Sequence, residues 1–119
     1  MGIERVTSLG KLSVSEEAIA TLAGGVVGEC YGVVGMASQK VVKDGIAELL
    51  KKDNYAKGVV VKKTDAGYEL DLYIIISFGV KISEVIFEVQ KKVKYMLEKT
   101  LDQDFVKINV YVQGVKVIG

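Results

Sequence analysis

The stretch "YELDLYIIISFGVKISEVIFEVQKKVKYMLEKTLDQDFVKINVYV", residues 68–112, decides the fold. Its first ten residues alternate, with Leu70, Leu72, Ile74 and Ile76 on one side and Asp71, Tyr73 and Ile75 on the other, as in a strand with two different faces. From Ile82 or Ser83 to Leu101 the period changes. Ile82, Val85, Ile86, Val89, Val93, Met96 and Leu97 recur at three- and four-residue spacing and form one core-facing stripe of a helix. Alternation returns in "VKINVYV", where Val106, Ile108, Val110 and Val112 are expected inside and Lys107, Asn109 and Tyr111 outside. Strand, helix and strand in this order form a crossover unit, whose two strands are expected parallel in one sheet.

Upstream, "GVVVKK" (58–63) precedes that first strand across a turn at Asp65, Ala66 and Gly67, which reads as a β-hairpin. The chain opens with an extended piece from about Ile3 to Val14. Ser15 then has the position of a helix N-cap, with Glu16 and Glu17 facing the positive end of the helix dipole. Ala18, Ile19, Leu22, Ala23 and Val26 continue at helical spacing and present small residues that permit close backbone approach. Ile46, Leu49 and Leu50 suggest a second short helix, weakened by Gly45. The expected architecture is a single α+β domain over 1–119: two layers, a mixed sheet of about four strands with a hairpin and a crossover, and helices mainly on one face.

Composition narrows the function. The 16 basic and 15 acidic residues leave a formal charge of +1, so no global field calls for nucleic acid or an anionic surface. Proline is absent and no linker divides the chain. The longest unbroken apolar run, Leu72 to Ile76, is far below the ~20 residues of a spanning helix, so no direct membrane span is expected. The first twelve residues lack the apolar run of an export signal, and the single cysteine, Cys30, suits a reducing cytoplasm.

Chemistry-bearing motifs are few. With no histidine there is no Ser-His or Cys-His pair, and one cysteine with carboxylates makes an unusual zinc site. Ser8 and Lys11 have serine-lysine spacing but lie in a glycine-containing extended segment rather than at a helix start. Cys30 has no basic neighbour in sequence before Lys40 and reads as a buried, inert thiol. No catalytic, cofactor-binding or metal-binding residue is therefore expected.

Gly-Val-Val-Gly occurs twice, at Gly25–Gly28 and Gly32–Gly35. Neither copy is followed by the Lys-Ser/Thr pair of a phosphate loop, and neither contains a Gly-x-Gly-x-x-Gly fingerprint. Two readings stay open for the second copy. In one, Gly32 to Gly35 is the backbone-clamping loop between two helices of a KH-like nucleic-acid-binding module, with Tyr73 and Tyr111 as a stacking platform. In the other, favoured by the two β-branched valines, the first copy lies on the small face of the first helix and the second begins a strand.

The segments "GKLSVSEEAIATLAGGVVGECYGVVGMAS", "GVVVKKTDAGYELDLYIIISFGVKISEV" and "VKINVYVQGVKV" together resemble the alkaline-shock, general-stress protein family of Gram-positive bacteria over nearly the whole chain. The resemblance implies a small, non-enzymatic cytoplasmic protein of cell-envelope stress response and homeostasis. It also implies self-association and, in some members, recruitment to the membrane by a separate small membrane-anchor protein. Some relatives are linked to fatty-acid and phospholipid metabolism, so a lipid-metabolism enzyme as partner, or an acyl chain as ligand, follows as a further expectation. No catalytic residues carry over from the family. Its recurrent positions Gly32, Gly35, Met36, Asp71, Tyr73, Gly79 and Val80 read as turn, packing and sheet positions, with Gly32, Gly35 and Gly79 as structural glycines. Gly35 in particular is expected at a crowded or positive-φ position.

Surface aromatics supply the candidate interaction residues. At about 100° per residue, Phe87, Lys91 and Tyr95 fall opposite the core stripe of the long helix. Tyr73 and Tyr111 point away from the helix-covered sheet face, beside Asp71, Lys107 and Asn109. Both patches suit protein interfaces unless the first strand or the middle helix folds over them.

Overall fold

The computed structural model describes residues 3–7, 10–41, 47–50 and 52–117, with side-chain surroundings described for 15–38, 50 and 54–117. Strands β1 (Ile3–Thr7) and β2 (Gly10–Val14) form an antiparallel hairpin, so the first extended piece is two strands rather than one. Helix α1 (Glu16–Gly28) follows, capped as expected: the Ala18 N–H donates to Ser15 Oγ at 3.1 Å, and Glu16 and Glu17 occupy the first turn. Then come β3 (Val33–Val41), β4 (Ala47–Leu49), a 3-10 helix (Lys52–Gly58), β5 (Val59–Thr64), β6 (Gly67–Ser77), α2 (Ile82–Leu101) and β7 (Phe105–Lys116).

β6 is the spine of a five-stranded mixed sheet. One edge is paired in two stretches, by β5 from Leu72 to Gly67 and by β3 from Ile74 to Ile76. The other edge is paired by β7, which runs parallel to it from Tyr68↔Phe105 to Ser77↔Lys116. The parallel crossover β6–α2–β7 is thus as the periodicities imply, and so are the hairpin and the helix-covered face.

The core lies between that sheet face and the two helices. Leu70, Leu72, Ile74 and Ile76 are buried against Ile19, Ala23 and Val27 of α1 and Val85, Val89, Val93 and Leu97 of α2. Gly24 and Gly28 lie one helical turn apart and leave room for Tyr55 of the 3-10 helix. A Cβ there would come within 3.0 Å of Tyr55 Cβ and 2.9 Å of Tyr55 Cε2, respectively. The first Gly-Val-Val-Gly therefore lies on a packing surface.

Three details differ from the sequence expectation. The second short helix does not form at Leu49 and Leu50: Ala47–Leu49 is a strand paired to β3, and the Leu50 N–H donates to the Met36 carbonyl at 2.8 Å. Ile46 lies outside the described residues. β3 extends beyond its pairing with β6, and its unpaired backbone is satisfied by β4. Val106 is exposed and Phe105 fully buried, because the register slips between Tyr68↔Phe105 and Glu69↔Lys107. One extra residue in β7 reverses the alternation there and sends Phe105 inward, its ring 5.7 Å from that of Tyr68. Ile82, at the open end of the stripe, is 48 % exposed.

Candidate protein-interaction surfaces

The chemistry-bearing residues do not converge. Ser8 lies outside the described residues. Among the described residues no three His, Cys, Asp or Glu side chains come together as a metal site. Cys30 is buried, and its Sγ donates to the Val26 carbonyl at 3.4 Å. Burial pushes the thiol pKa up, assisted by Glu88 and Glu29 and opposed by Lys92. Thiolate is the reactive form, so Cys30 should react slowly with a disulfide reagent in the native protein and promptly after denaturation. A fast native reaction would contradict this.

Gly32 to Gly35 does not join two helices. It leads from the turn after α1 into β3, and Gly35 pairs with Ile75 beside an irregularity in the register. The KH-like clamp therefore lacks its helix-loop-helix frame. The positive-φ glycines among the described residues are Gly32, Gly67 and Gly79, so the expectation of a left-handed Gly35 is corrected: Gly35 belongs to a strand.

On the sheet face away from the helices, neighbouring strands bring polar groups together. Asp71 is only 4 % exposed, yet Lys62 Nζ from β5 lies 2.9 Å from one of its oxygens. Asn109 Nδ2 from β7 donates to the other at 2.8 Å and reaches Glu69 Oε1 at 3.3 Å. Burial by itself would raise the Asp71 pKa, but the hydrogen bonds from Asn109 and Lys62, with the charges of Lys62 and Lys107, outweigh it and hold the carboxyl below its usual range. Beside this network the rings of Tyr73 and Tyr111 stack with centroids 5.1 Å apart and planes 18° apart. Burial and the nearby Asp71 charge raise the Tyr73 pKa. Ile75 shares this face but is buried, because Gln113 of β7 reaches over β6 to the Ser38 carbonyl of β3 at 3.5 Å. The sheet patch is thus narrower than alternation implies, with Tyr111 as its exposed ring.

The outer face of α2 carries the second patch. Phe87 is 60 % and Tyr95 59 % exposed, two turns apart. Lys91 Nζ lies 6.0 Å from the Phe87 ring centroid and Lys99 Nζ 5.5 Å from that of Tyr95, whose hydroxyl accepts from Lys99 at 3.4 Å. Neither ring joins the buried stripe, as the helix phase requires.

A third surface escaped the sequence reading. Tyr31, Phe78, Ile82, Val115 and Val117 are all exposed at one end of the sheet. Two hydrogen bonds assemble that end: the Ser77 N–H donates to the Gly32 carbonyl, and the Phe78 N–H to the Lys116 carbonyl, both at 2.9 Å. These side chains come from three distant segments, so no local pattern announces them. The only local sign is Phe78–Gly79 directly after a strand.

Known proteins resemble this chain along nearly its whole length. It is 47 % identical over 117 residues to the uncharacterized protein YloU of Bacillus subtilis, covering 98 % of both chains. It is 49 % identical over 119 residues to the uncharacterized protein Spy1614 of Streptococcus pyogenes, covering all of this chain and 98 % of that one. A more distant relative, YqhY of Bacillus subtilis, is 32 % identical over 110 residues, or 92 % of this chain and 80 % of its own. No solved structure matches. Residues 4–117 match the alkaline-shock protein family, described as having a cell envelope-related function, and the chain belongs to that family.

Proposed function

We propose that this protein is a non-enzymatic component of cell-envelope stress response and homeostasis, working in the cytoplasm near the membrane by self-association and by binding other proteins. The observation that supports this reading is the pair of rings on the outer face of α2: Phe87 and Tyr95 are more than half exposed on a helix whose opposite stripe is fully buried. Large aromatics flanked by charged side chains give an interface its area and specificity. The helix is acidic near its start, at Glu84 and Glu88, and basic beyond, at Lys91, Lys92 and Lys94. Two copies packed antiparallel along this face set unlike charges against each other and bring Phe87 of each copy toward Tyr95 of the other. The Tyr73–Tyr111 sheet face is left for a different partner, a small membrane-anchor protein or an enzyme of fatty-acid or phospholipid metabolism.

The double variant Phe87→Ser, Tyr95→Ser tests this. It should retain its circular dichroism spectrum and melting temperature, since neither ring is core, and shift toward monomer in light scattering. An unchanged oligomeric state in a folded double variant would reject α2 as the self-association surface.

A further inference from the structure

Of the nine large apolar side chains exposed among the described residues, five gather at the end of the sheet where α1 hands over to β3, β6 to α2, and β7 ends. Tyr31 is 84 % exposed, Phe78 70 % and Val117 71 %, more than either ring on α2. From these residues we infer that this end of the domain inserts into the interfacial layer of a lipid bilayer, with Phe78 and Tyr31 entering first.

Three features favour a bilayer over a protein partner. The first is shape. Phe78 and Gly79 form a projecting turn, Gly79 at φ +92°, and a Cβ built on Gly79 would meet nothing within 4 Å. A convex turn carrying an aromatic ring offers little surface to a peptide but enters a soft interface easily. The second is chemistry. Tyr31 combines an apolar ring with a polar tip, suited to the headgroup boundary. Lys81 and Lys116 flank the turn, Lys116 through its carbonyl bond to Phe78, and their long stems can keep the ammonium groups at phosphate level while the rings go deeper. The nearest acid on α2, Glu84, lies 4.0 Å from Lys81, which offsets its charge. The third is rigidity. Gly32 fixes the Tyr31 turn against Val85 of α2, and the hydrogen bonds of Ser77 and Phe78 tie all three segments together, so insertion orders little additional chain. No helix among the described residues is long and apolar enough to span a membrane, so such contact is peripheral. The inference is independent of α2 and of what binds there.

The chain contains no tryptophan, so Phe78→Trp places a single reporter at the turn. With vesicles of phosphatidylethanolamine and phosphatidylglycerol, its emission should shift to the blue and be quenched by lipids brominated on the acyl chain. Phe87→Trp, on the side of the domain, should show neither change. Tyr31→Ser with Phe78→Ser should fold normally and sediment with the same vesicles at least about tenfold less, because the inserted area supplies the binding. Emission of Phe78→Trp that ignores vesicles would overturn the inference. So would a blue shift that grows with protein concentration in the absence of lipid, which would assign the end surface to a second copy. Light scattering of the Phe87, Tyr95 double variant contains no lipid, so failure of the α2 reading is seen separately.

Discussion

Gly32→Val is expected to lower stability by about 3 kcal/mol, or a melting temperature loss of roughly 12 °C for a domain of this size. Two costs combine. Gly32 sits at φ +83°, a left-handed conformation that a β-branched residue adopts only with strain of about 1–2 kcal/mol. A Cβ there would also lie 2.7 Å from Val85 Cγ2, and Val85 is a core residue of α2 without free space to retreat into. Gly79 separates the two costs. Its φ is +92°, but its surroundings are open, so Gly79→Ala should incur only the backbone penalty of about 1 kcal/mol. Thermal melts of Gly32→Val, Gly32→Ala and Gly79→Ala measure the difference. If both alanine variants lost the same amount, the contact with Val85 would have no energetic role.

This also shows why the second Gly-Val-Val-Gly was legible only in part. The paired valines correctly predicted a strand, since β-branched residues suit β3 better than a tight turn between helices. Which glycine carries the constraint depends on α2, which is fifty residues away in sequence and packs against Gly32 rather than Gly35. The crossover was legible for the opposite reason: its signals are local, with alternation in β6 and a three-four period in α2 that decide which faces are buried. Where the chain inserts one residue in the β6–β7 pairing, alternation exchanged Val106 for Phe105, because a bulge is a property of two strands together. At Leu49 and Leu50 a short apolar cluster fits a helix or a strand equally well, and the unpaired end of β3 decides between them.

The surfaces divide along the same line. Phe87 and Tyr95 could be placed from helix phase alone. Alternation placed Asp71 on the correct face of the sheet but left its burial unseen, since Lys62 and Asn109 reach it from two other strands. The apolar end built from residues 31, 78–82 and 115–117 exists only after folding. Tertiary pairing, not local preference, assembles every feature that the sequence did not reveal.

The Asp71 network leads to the second large effect. Asp71→Ala should cost about 2 kcal/mol at neutral pH, through two lost charge-assisted hydrogen bonds and an Asn109 amide left with only its longer bond to Glu69. The loss should depend on pH in a defined direction. The Asp71 carboxyl is held below its usual range in the folded protein, whereas in the unfolded chain it titrates near about 3.9. Its ionised form thus contributes stability in full above the unfolded value, and the contribution disappears as pH falls through the lower folded value. Denaturant unfolding of wild type and Asp71→Ala should therefore give curves of stability against pH that lie parallel from neutral pH down to about 4 and converge below it. Lys62→Met sharpens the test, because it leaves the carboxylate in place and removes its cation. Burial is then opposed chiefly by Asn109, the folded pKa rises, and the acid-side loss of stability that wild type shows should become shallower. If the wild-type and Asp71→Ala curves stayed parallel to pH 2, Asp71 would already be protonated or solvated at neutral pH, and the polar cluster beneath Tyr73 and Tyr111 would not be held by its charge.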